Sequence, residues 1–381
     1  MKSRIILTLF ILFLATPLWM RISWEFTPER NLNILILDKT VLNSASFKHR
    51  SINWILDHEK YVKKGGSFYD INRDYFGFFP QANEKYLIAD FDKMGEAEID
   101  SVAEANDVAY YADTYGIMGY EWYKRLDRND NPGSIYGGLS EKDLQVMDKM
   151  AEKKKLMIAE FNTVGFPTPP EIRKKFEKKT GMSWTGWIVR SISSLDTTFN
   201  PDLPRWVVNE YRSKNNGKWP FHAAGILCVH ESGKVLVLEN GKGLKDWIPV
   251  IDCRELFKQE TGVTDPLIYP FWMDVWKVEN DSNDIVATYK LPVNPAGASM
   301  LAKEGIPVSF PAIVRRTVGF RFYYFCGDFA DNPTKFRFAK LMGITGLKFL
   351  LYNAVDRTDR NRFFWEFYLP MMQAILAKEV R

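Results

Sequence analysis

Residues 31–38 read NLNILILD, and this stretch decides the fold class. Its four consecutive aliphatic residues, Ile34 to Leu37, show no alternation of polar and apolar side chains, and the run ends on the carboxylate of Asp38. Such a run is typical of a strand in a parallel sheet that is covered on both faces. The stretch therefore predicts an α/β protein.

Similar runs return along the chain, separated by helical segments. Strands are predicted at 85–90, 108–112 and 156–159, and helices over 46–61 and 96–105. Short strands that alternate with helices indicate a doubly wound, mostly parallel sheet. We therefore expect a flavodoxin-like, three-layer αβα architecture.

Two helix starts are marked by their capping residues. Ser140 and Asp143 form a capping-box pattern that predicts a helix to about residue 153. The sequence from Thr168 to Glu171, with two prolines in the first turn, predicts another helix that stops at Gly181.

The pattern changes after Pro220, where strand-like runs lie close together. The predicted strands there are 225–229, 234–239, 271–278 and 285–291, followed by 310–314 and 322–325 and by a last helix over 362–378. The hairpin signal at 230–233 and the polar loop at 280–284 indicate a β-rich insertion. The predicted organisation is an N-terminal segment 1–24, an α/β domain in two parts, 30–215 and 305–381, and an insertion at 220–300.

Charge and cysteine content exclude several classes of protein. The 51 Lys and Arg against 47 Asp and Glu leave a net charge of +4, too small to indicate a nucleic-acid partner. No C-x-x-C pair occurs among the three cysteines, which are Cys228, Cys253 and Cys326, so no disulfide framework is expected. The chain lacks H-E-x-x-H, P-loop and dinucleotide-binding motifs, so neither a metal nor a cofactor is predicted.

The first 24 residues differ from the rest. Lys2 and Arg4 precede an apolar run from Ile5 to Met20, and the first 24 residues contain no acid. No small-residue cleavage site follows, and Trp19 and Trp24 are placed as interfacial anchors. We therefore expect a single uncleaved transmembrane helix in a bacterial-type cell membrane. Because positive charge precedes the run, the rest of the chain is expected outside the cytoplasm.

The stretch 107–181 carries a resemblance to a known family. It runs as strand, long polar loop, Gly137-Gly138, a Ser-capped helix, the strand ending at Glu160 and a helix closing on Gly181. This order is similar to the class I glutamine amidotransferase-like superfamily, especially its trehalose-utilisation and β-galactosidase-trimerisation branches. The resemblance covers about 30–215 and 305–378, with the segment after Phe320 as the last strand and final helix.

One departure from that family affects its chemistry. An amidotransferase carries a nucleophilic Cys on the turn after the strand that here ends at Ala159, whereas this chain has Glu160, Phe161 and Asn162. The resemblance therefore implies a domain without amidotransferase activity.

Carboxylates follow one predicted strand after another, at Asp38, Asp90, Asp113, Glu160 and Asp328. The carboxyl ends of parallel strands line one crevice, where ligands usually bind. Two such carboxylates can hydrolyse a glycosidic bond, one as acid and the other as nucleophile or base. Asp113 and Glu160 are the candidate catalytic pair, with Asp38 and Asp328 as ligand-binding residues. The alternative is structural, because Asp after a strand commonly caps a helix or binds loop amides.

Aromatic residues are abundant, at 15% of the chain, and tryptophans concentrate in its middle. Trp184, Trp187 and Trp272 are candidates for stacking on sugar rings; the alternative is that they fill the core or a partner interface.

Three functions remain open from the sequence. The first is a membrane-anchored extracytoplasmic protein that binds carbohydrate or a cell-envelope polymer or serves as a subunit of an envelope assembly. The second is a glycan-directed hydrolase that uses paired carboxylates. The third is a structural protein whose aromatic insertion docks a protein partner.

Overall fold

A computed structural model describes residues 15–43, 46–126, 133–198, 200–264 and 266–380. Besides two two-stranded pairs, Arg30–Asn31 with Tyr61–Val62 and Ile117–Met118 with Ser134–Tyr136, the described residues form two larger sheets in a mixed α/β fold. In chain order their strands are β1 (Ile34–Asp38), β2 (Phe76–Pro80), β3 (Tyr86–Ala89), β4 (Val108–Asp113), β5 (Leu156–Glu160), β6 (Met182–Ile192), β7 (Gly225–His230), β8 (Val235–Glu239), β9 (Val250–Cys253), β10 (Leu267–Ile268), β11 (Met273–Val278), β12 (Asn283–Lys290), β13 (Ser309–Arg316) and β14 (Arg321–Phe325).

The helices fill the connections between these strands. They are α1 (15–25), α2 (Arg50–His58), α3 (Glu96–Ala105), α4 (Glu141–Glu152), α5 (Pro170–Thr180), α6 (Arg205–Lys214), α7 (Glu255–Thr261), α8 (Pro295–Lys303) and α9 (Leu369–Ala377). The chain enters α9 through a helical turn, Arg360–Phe363, and a π-helical turn, Phe364–Tyr368. The capping box of Ser140 and Asp143 is confirmed, and Gly181 ends α5 in the left-handed conformation as predicted. The start of α5 differs from the prediction, because its N-cap is Pro169, without a side-chain capping hydrogen bond, and the Thr168 hydroxyl accepts from the N–H of Leu139 instead.

The large sheet has the order β10-β9-β12-β13-β14-β5-β4-β1-β2-β3. Its five strands from β14 to β2 are parallel to one another. Numbered by their order in the chain, these five lie as 2-1-3-4-5. The chain therefore reverses its direction of travel across the sheet between β1 and β4, and a crevice opens outside the carboxyl ends of strands at such a point.

Two adjacent residues of β4 show that helices cover both faces of the parallel strands. Tyr110 and Tyr111 project to opposite faces, because successive side chains of a strand alternate. The Tyr110 hydroxyl lies 2.8 Å from the hydroxyl of Tyr368, and the Tyr111 hydroxyl donates to the carbonyl of Asp143 at 2.7 Å. The π-helical turn before α9 and helix α4 therefore pack on opposite sides of the sheet. This double burial explains why the strands read as continuous apolar runs.

The chain between β5 and β14 builds the rest of both sheets. Strands β9, β10, β12 and β13 extend the large sheet by antiparallel pairing, and β6, β7, β8 and β11 form a second, antiparallel sheet. The segment 220–300 thus contributes strands to both sheets. The strands predicted at 271–278 and 285–291 both exist, but they lie in different sheets.

One predicted parallel strand is corrected by the pairing of the edge strand. β3 is antiparallel to β2, so Asp90 does not end a parallel strand; because Asp38 pairs with Gly77 and Gly77 with Ala89, Asp90 still lies near the level of Asp38, two strands away. The second parallel strand is instead β2, whose sequence FGFFP contains glycine and proline and was not predicted.

The predicted N-terminal anchor falls largely on residues 1–14, outside the described residues. Among the residues that are described, no helix is both long and apolar enough to cross a membrane. Helix α1 packs on the protein through Trp24, which is 3% exposed and donates its indole N–H to the carbonyls of Asp57 and His58. Trp24 is therefore occupied by protein contacts and does not act as an interfacial anchor, whereas Trp19 is 60% exposed.

Candidate functional site

Asp38 and Asp113 lie side by side at the point where the strand order reverses. They end the neighbouring parallel strands β1 and β4 and are partners in the register of the sheet. The backbone N–H of Lys39 donates to the Asp113 carbonyl at 2.9 Å, which holds the two strand ends together. The predicted crevice therefore begins between these two carboxylates.

The Asp38 carboxylate is fully buried and bonded to the protein. One oxygen accepts from the backbone N–H of Thr40 at 3.0 Å, and the other accepts from the backbone N–H of Lys48 at 2.9 Å. That second oxygen also lies 2.6 Å from Nδ1 of His49, whose Nε2 lies 2.9 Å from the carbonyl of Ile71. Asp38 thus fixes the start of α2 and positions Lys48.

Asp113 is 3% exposed and has a different environment. One of its oxygens accepts from the backbone N–H of Tyr115 at 2.7 Å. Burial raises the pKa of the Asp113 carboxyl to about 7; the charges of Asp38 and Asp328 raise it further, and Lys48 and the Tyr115 N–H oppose the shift. The carboxyl of Asp113 therefore titrates near neutral pH, unlike an ordinary aspartate.

Four charged side chains form a network beside Asp113. The Nζ of Lys48 lies 2.7 Å from Asp331 and 3.5 Å from Asp328, and the guanidinium of Arg360 lies 3.2 Å from Asp328 and 3.7 Å from Asp331. The side chains of Lys48, Asp328 and Arg360 are 23%, 13% and 20% exposed, and that of Asp331 is 44% exposed. The network is therefore partly open to solvent and accessible to a ligand.

The two acids of this network have opposite pKa shifts. Burial raises the pKa of Asp328, and the neighbouring Asp331 adds to that rise while Lys48 and Arg360 oppose it. Burial also acts to raise the pKa of Asp331, but the charges of Lys48 and Arg360 outweigh it and hold that pKa below its usual value. Asp331 is therefore ionised at neutral pH.

Glu160 is 1% exposed and lies at the end of β5. One oxygen accepts from the hydroxyl of Tyr110, and the other accepts from the backbone N–H of Ala330 at 2.9 Å. Burial raises the pKa of Glu160 well above its usual value, and the hydrogen bonds from Tyr110 and Ala330 oppose that rise. Since Tyr110 also contacts Tyr368, Glu160 joins two parallel strands, the loop after β14 and the C-terminal helical segment. This geometry gives Glu160 a structural role, with both of its oxygens occupied by protein groups.

Of the three candidate tryptophans, Trp272 lies at this edge. Its carbonyl accepts from the backbone N–H of Asp328 at 3.2 Å, and Arg190 lies over its ring at 5.4 Å. Its ring also stacks near those of Phe161 and Trp206, with centroids 6.5 Å and 6.4 Å away. An aromatic cluster therefore adjoins the charged network, with Phe161 buried and Trp206 and Trp272 partly buried.

Trp184 and Trp187 lie on β6 in the second sheet. Arg173 lies over the ring of Trp184 at 5.2 Å, while Trp187 is 5% exposed and packs against His230. The neighbours of these two rings are thus Arg173 on α5 and His230 on β7 rather than residues of the network around Asp328.

An open pocket of about 600 Å³, with a mixed polar and apolar lining, borders the same strand ends. Lys39 and Gly138 line it, and Gly138 donates its backbone N–H to the Thr114 carbonyl at 2.6 Å. Tyr136 and the carboxylates of Asp92 and Glu171 also line it. The volume falls in the range of small-molecule sites.

The sequence did not single out Lys48, Asp331, Arg360 or Arg190. Lys48 lies just before α2, ten residues after Asp38. Asp331 lies on the loop after β14 and Arg360 begins the helical turn Arg360–Phe363, and tertiary packing brings both to the edge. Across the described ranges, no group of three or more His, Cys, Asp or Glu side chains is arranged to hold a metal ion.

Comparison of this chain with protein-family models, with curated proteins and with solved structures finds no match. The assignment of a function therefore rests on the chemistry of the site.

Proposed function

We propose that this chain binds a glycan in the crevice outside the carboxyl ends of its parallel strands. The observation that carries this proposal is the partly exposed network of Lys48, Asp328, Asp331 and Arg360 beside Trp272. Carboxylate and guanidinium groups offer planar, paired acceptors and donors to adjacent hydroxyls. An aromatic ring beside them offers an apolar face to the C–H side of a sugar ring.

The position of the network in the fold supports the proposal. Ligands of open α/β sheets bind at the carboxyl ends of strands where the strand order reverses, and Asp38 and Asp113 flank that point. The order 2-1-3-4-5 of the parallel strands is that of flavodoxin-like sheets, which agrees with an amidotransferase-like domain. The turn after β5 carries Phe161 and Asn162, and all three cysteines are buried thiols. A domain of that kind without the nucleophile is consistent with binding.

We also propose that the chain is tethered to a membrane and that its bulk lies outside the cytoplasm. The support for this location is the sequence of residues 1–24, in which Lys2 and Arg4 precede an apolar run. An extracytoplasmic location would place the crevice where cell-envelope polymers are available as ligands.

A direct test is a glycan array probed with the full chain in lipid nanodiscs, which avoids sugar-based detergents. Arg360→Gln should weaken binding of any glycan found by about tenfold or more, because it removes a bidentate donor from the network. Arg357→Gln is a matched control, since Arg357 lies three residues away and pairs with Asp246 at 2.6 Å outside the network. Equal binding by the two variants would contradict the proposal.

A second function, glycan hydrolysis, is favoured by one observation. The pKa of Asp113 is raised to about 7, whereas that of Asp331 is lowered. In glycosidases one carboxyl group with a raised pKa acts as the acid and a second, ionised carboxylate acts as the base or nucleophile. Asp113 would protonate the leaving oxygen, and Asp331 would activate water or attack the sugar.

Hydrolysis is tested by incubating the bound glycan with the full chain and with Asp113→Asn. Turnover should be lost in the variant while binding remains, and wild-type turnover should fall as pH rises through about 7, because the acid form of Asp113 disappears. Binding without product in the wild type would exclude hydrolysis and leave the binding function intact.

A further inference from the structure

A second surface of the molecule combines basic and large apolar residues. The segment 335–352 reads KFRFAKLMGITGLKFLLY, and no Asp or Glu occurs from residue 332 to residue 355. Its four charged residues, Lys335, Arg337, Lys340 and Lys348, are all basic. Aromatic and aliphatic residues interleaved with Lys and Arg are typical of segments that lie at a membrane surface.

The structure shows which side of this segment is anchored to the protein. Ala339 and Ile344 are 0% and 4% exposed, and the carbonyl of Ala339 lies 2.7 Å from Nδ1 of His58. In contrast, Phe349 and Leu350, at the end of the 3₁₀ helix Ile344–Leu350, are 60% and 66% exposed. The segment is thus fixed on its inner side while two large apolar side chains face outward.

Helix α1 lies directly against this segment. The backbone N–H of Met342 donates to the carbonyl of Met20 at 3.0 Å, and Lys340 lies over the ring of Trp24 at 5.4 Å. Leu18 and Trp19, next to Met20 on α1, are 61% and 60% exposed. Two parts of the chain more than 300 residues apart therefore form one basic and apolar surface, which we call the lipid-facing surface: Leu18, Trp19, Arg337, Phe349 and Leu350.

We propose that the lipid-facing surface rests on an anionic phospholipid bilayer. Charge complementarity favours this occupant, because Lys335 and Arg337 are exposed, and anionic headgroups attract Lys and Arg near the surface. Lys340 and Lys348 pair instead with Asp57 and Glu366 of the protein. Exposed Trp and Phe side chains favour the boundary between headgroups and acyl chains.

The chain before α1 also supports a bilayer as the occupant. The apolar run Ile5 to Met20 leads into α1, so the hydrophobic part of the sequence joins the protein at this surface. The surface would hold the domain at a fixed orientation on the membrane and leave the crevice, at the carboxyl ends of the strands, free for ligand. This inference does not depend on glycan binding.

The test uses a dye at position 349 and quenchers in the lipid. The full chain with Phe349→Cys is labelled with an environment-sensitive fluorophore. It is then reconstituted in vesicles of phosphatidylcholine, with or without phosphatidylglycerol, whose lipids carry bromine on their acyl chains as a quencher. The native thiols do not compete for the label, because Cys228, Cys253 and Cys326 are at most 6% exposed.

Phe166→Cys is the matched control. Phe166 is 64% exposed and follows the carboxyl end of β5, whereas α1 precedes the amino end of β1. We expect quenching at position 349 to exceed that at position 166 several-fold. The double charge reversal Lys335→Glu with Arg337→Glu should abolish the dependence of quenching at position 349 on phosphatidylglycerol.

Equal quenching at positions 349 and 166 would overturn the proposal. A second result would also overturn it: burial of the dye at position 349 that increases with protein concentration and shows no quenching by the brominated lipid. That result would mean that a second copy of the chain, and not the bilayer, covers the surface. Neither result would bear on glycan binding, which is measured separately on the array.

Discussion

Asp38 and Asp113 are direct partners across β1 and β4, yet the protein holds their carboxylates in different ways. Asp38 accepts hydrogen bonds from the backbone N–H groups of Thr40, Lys48 and His49 and contacts the buried ring of His49. Asp113 accepts from one neighbouring N–H group, and the pKa of its carboxyl is about 7. Asp113 therefore changes its charge near neutral pH.

Asp113 should make the stability of the protein depend on pH. Native Asp113 keeps its proton up to about pH 7, whereas an unfolded aspartate loses it near pH 4. Between these values the native state binds more protons, so the free energy of unfolding falls as pH rises. Asp113→Asn removes this contribution, and its stability relative to the wild type should rise by roughly 2 kcal/mol between about pH 5 and about pH 8.

Urea denaturation at the two pH values measures this difference. Asp281→Asn, which removes a carboxyl group from an exposed loop, is the control. Burial also raises the pKa of Asp274 to about 7, so Asp274 should add a similar dependence of stability on pH. The free energy of unfolding of Asp113→Asn should therefore still fall as pH rises, although less steeply than that of the wild type. A stability difference between Asp113→Asn and wild type that stays constant with pH would contradict the described environment of Asp113.

Glu160 should matter for folding. Glu160→Ala leaves the hydroxyl of Tyr110 and the N–H of Ala330 without their buried acceptor, and we expect a loss of about 2 to 4 kcal/mol in the free energy of unfolding. Glu160→Gln keeps one acceptor oxygen and should cost less. Glu152→Ala, at a side chain that is 61% exposed, is the control. If Glu160→Gln abolished glycan turnover at unchanged stability, the structural role of Glu160 would be wrong.

Trp24 should hold α1 against α2. Trp24→Ala removes a buried ring and its two hydrogen bonds to the end of α2, at an expected cost of about 3 to 5 kcal/mol to the docking of α1. Limited proteolysis between α1 and β1 should therefore become faster. Trp19→Ala, at an exposed position, should leave the cleavage rate unchanged. The same rate for both variants would show that α1 does not depend on this contact.

The parallel strands could be predicted because each is buried on both faces. The runs ending at Asp38, Asp113 and Glu160 lie between helical layers, so they contain almost no polar residues before their last position. β2 could not be predicted in the same way, because FGFFP carries a glycine and a proline that usually interrupt strands. The sequence therefore predicted the antiparallel edge strand β3, and not β2, as the second strand of the parallel sheet.

The candidate site could be predicted in part. The carboxylates at strand ends follow from the pattern of the strands, and Asp38 and Asp113 are adjacent as a parallel sheet requires. The contacts of Glu160 with Tyr110, Tyr368 and Ala330 could not be predicted, because they join parts of the chain up to 258 residues apart. Arg360 reaches the network from the start of the C-terminal helical segment, where no local motif marks it.

The most direct test of the glycan-binding crevice is the affinity of the full chain, in nanodiscs, for the best glycan from the array. Calorimetric titration would compare wild type with Trp272→Ala and Trp184→Ala. The two tryptophans are matched, because each is partly buried and each has an arginine over its ring, at 5.4 Å for Trp272 and 5.2 Å for Trp184. We predict that Trp272→Ala lowers the affinity at least tenfold and that Trp184→Ala leaves it unchanged. Equal affinities for the two variants, or a larger loss in Trp184→Ala, would contradict a binding site at the carboxyl ends of the parallel strands.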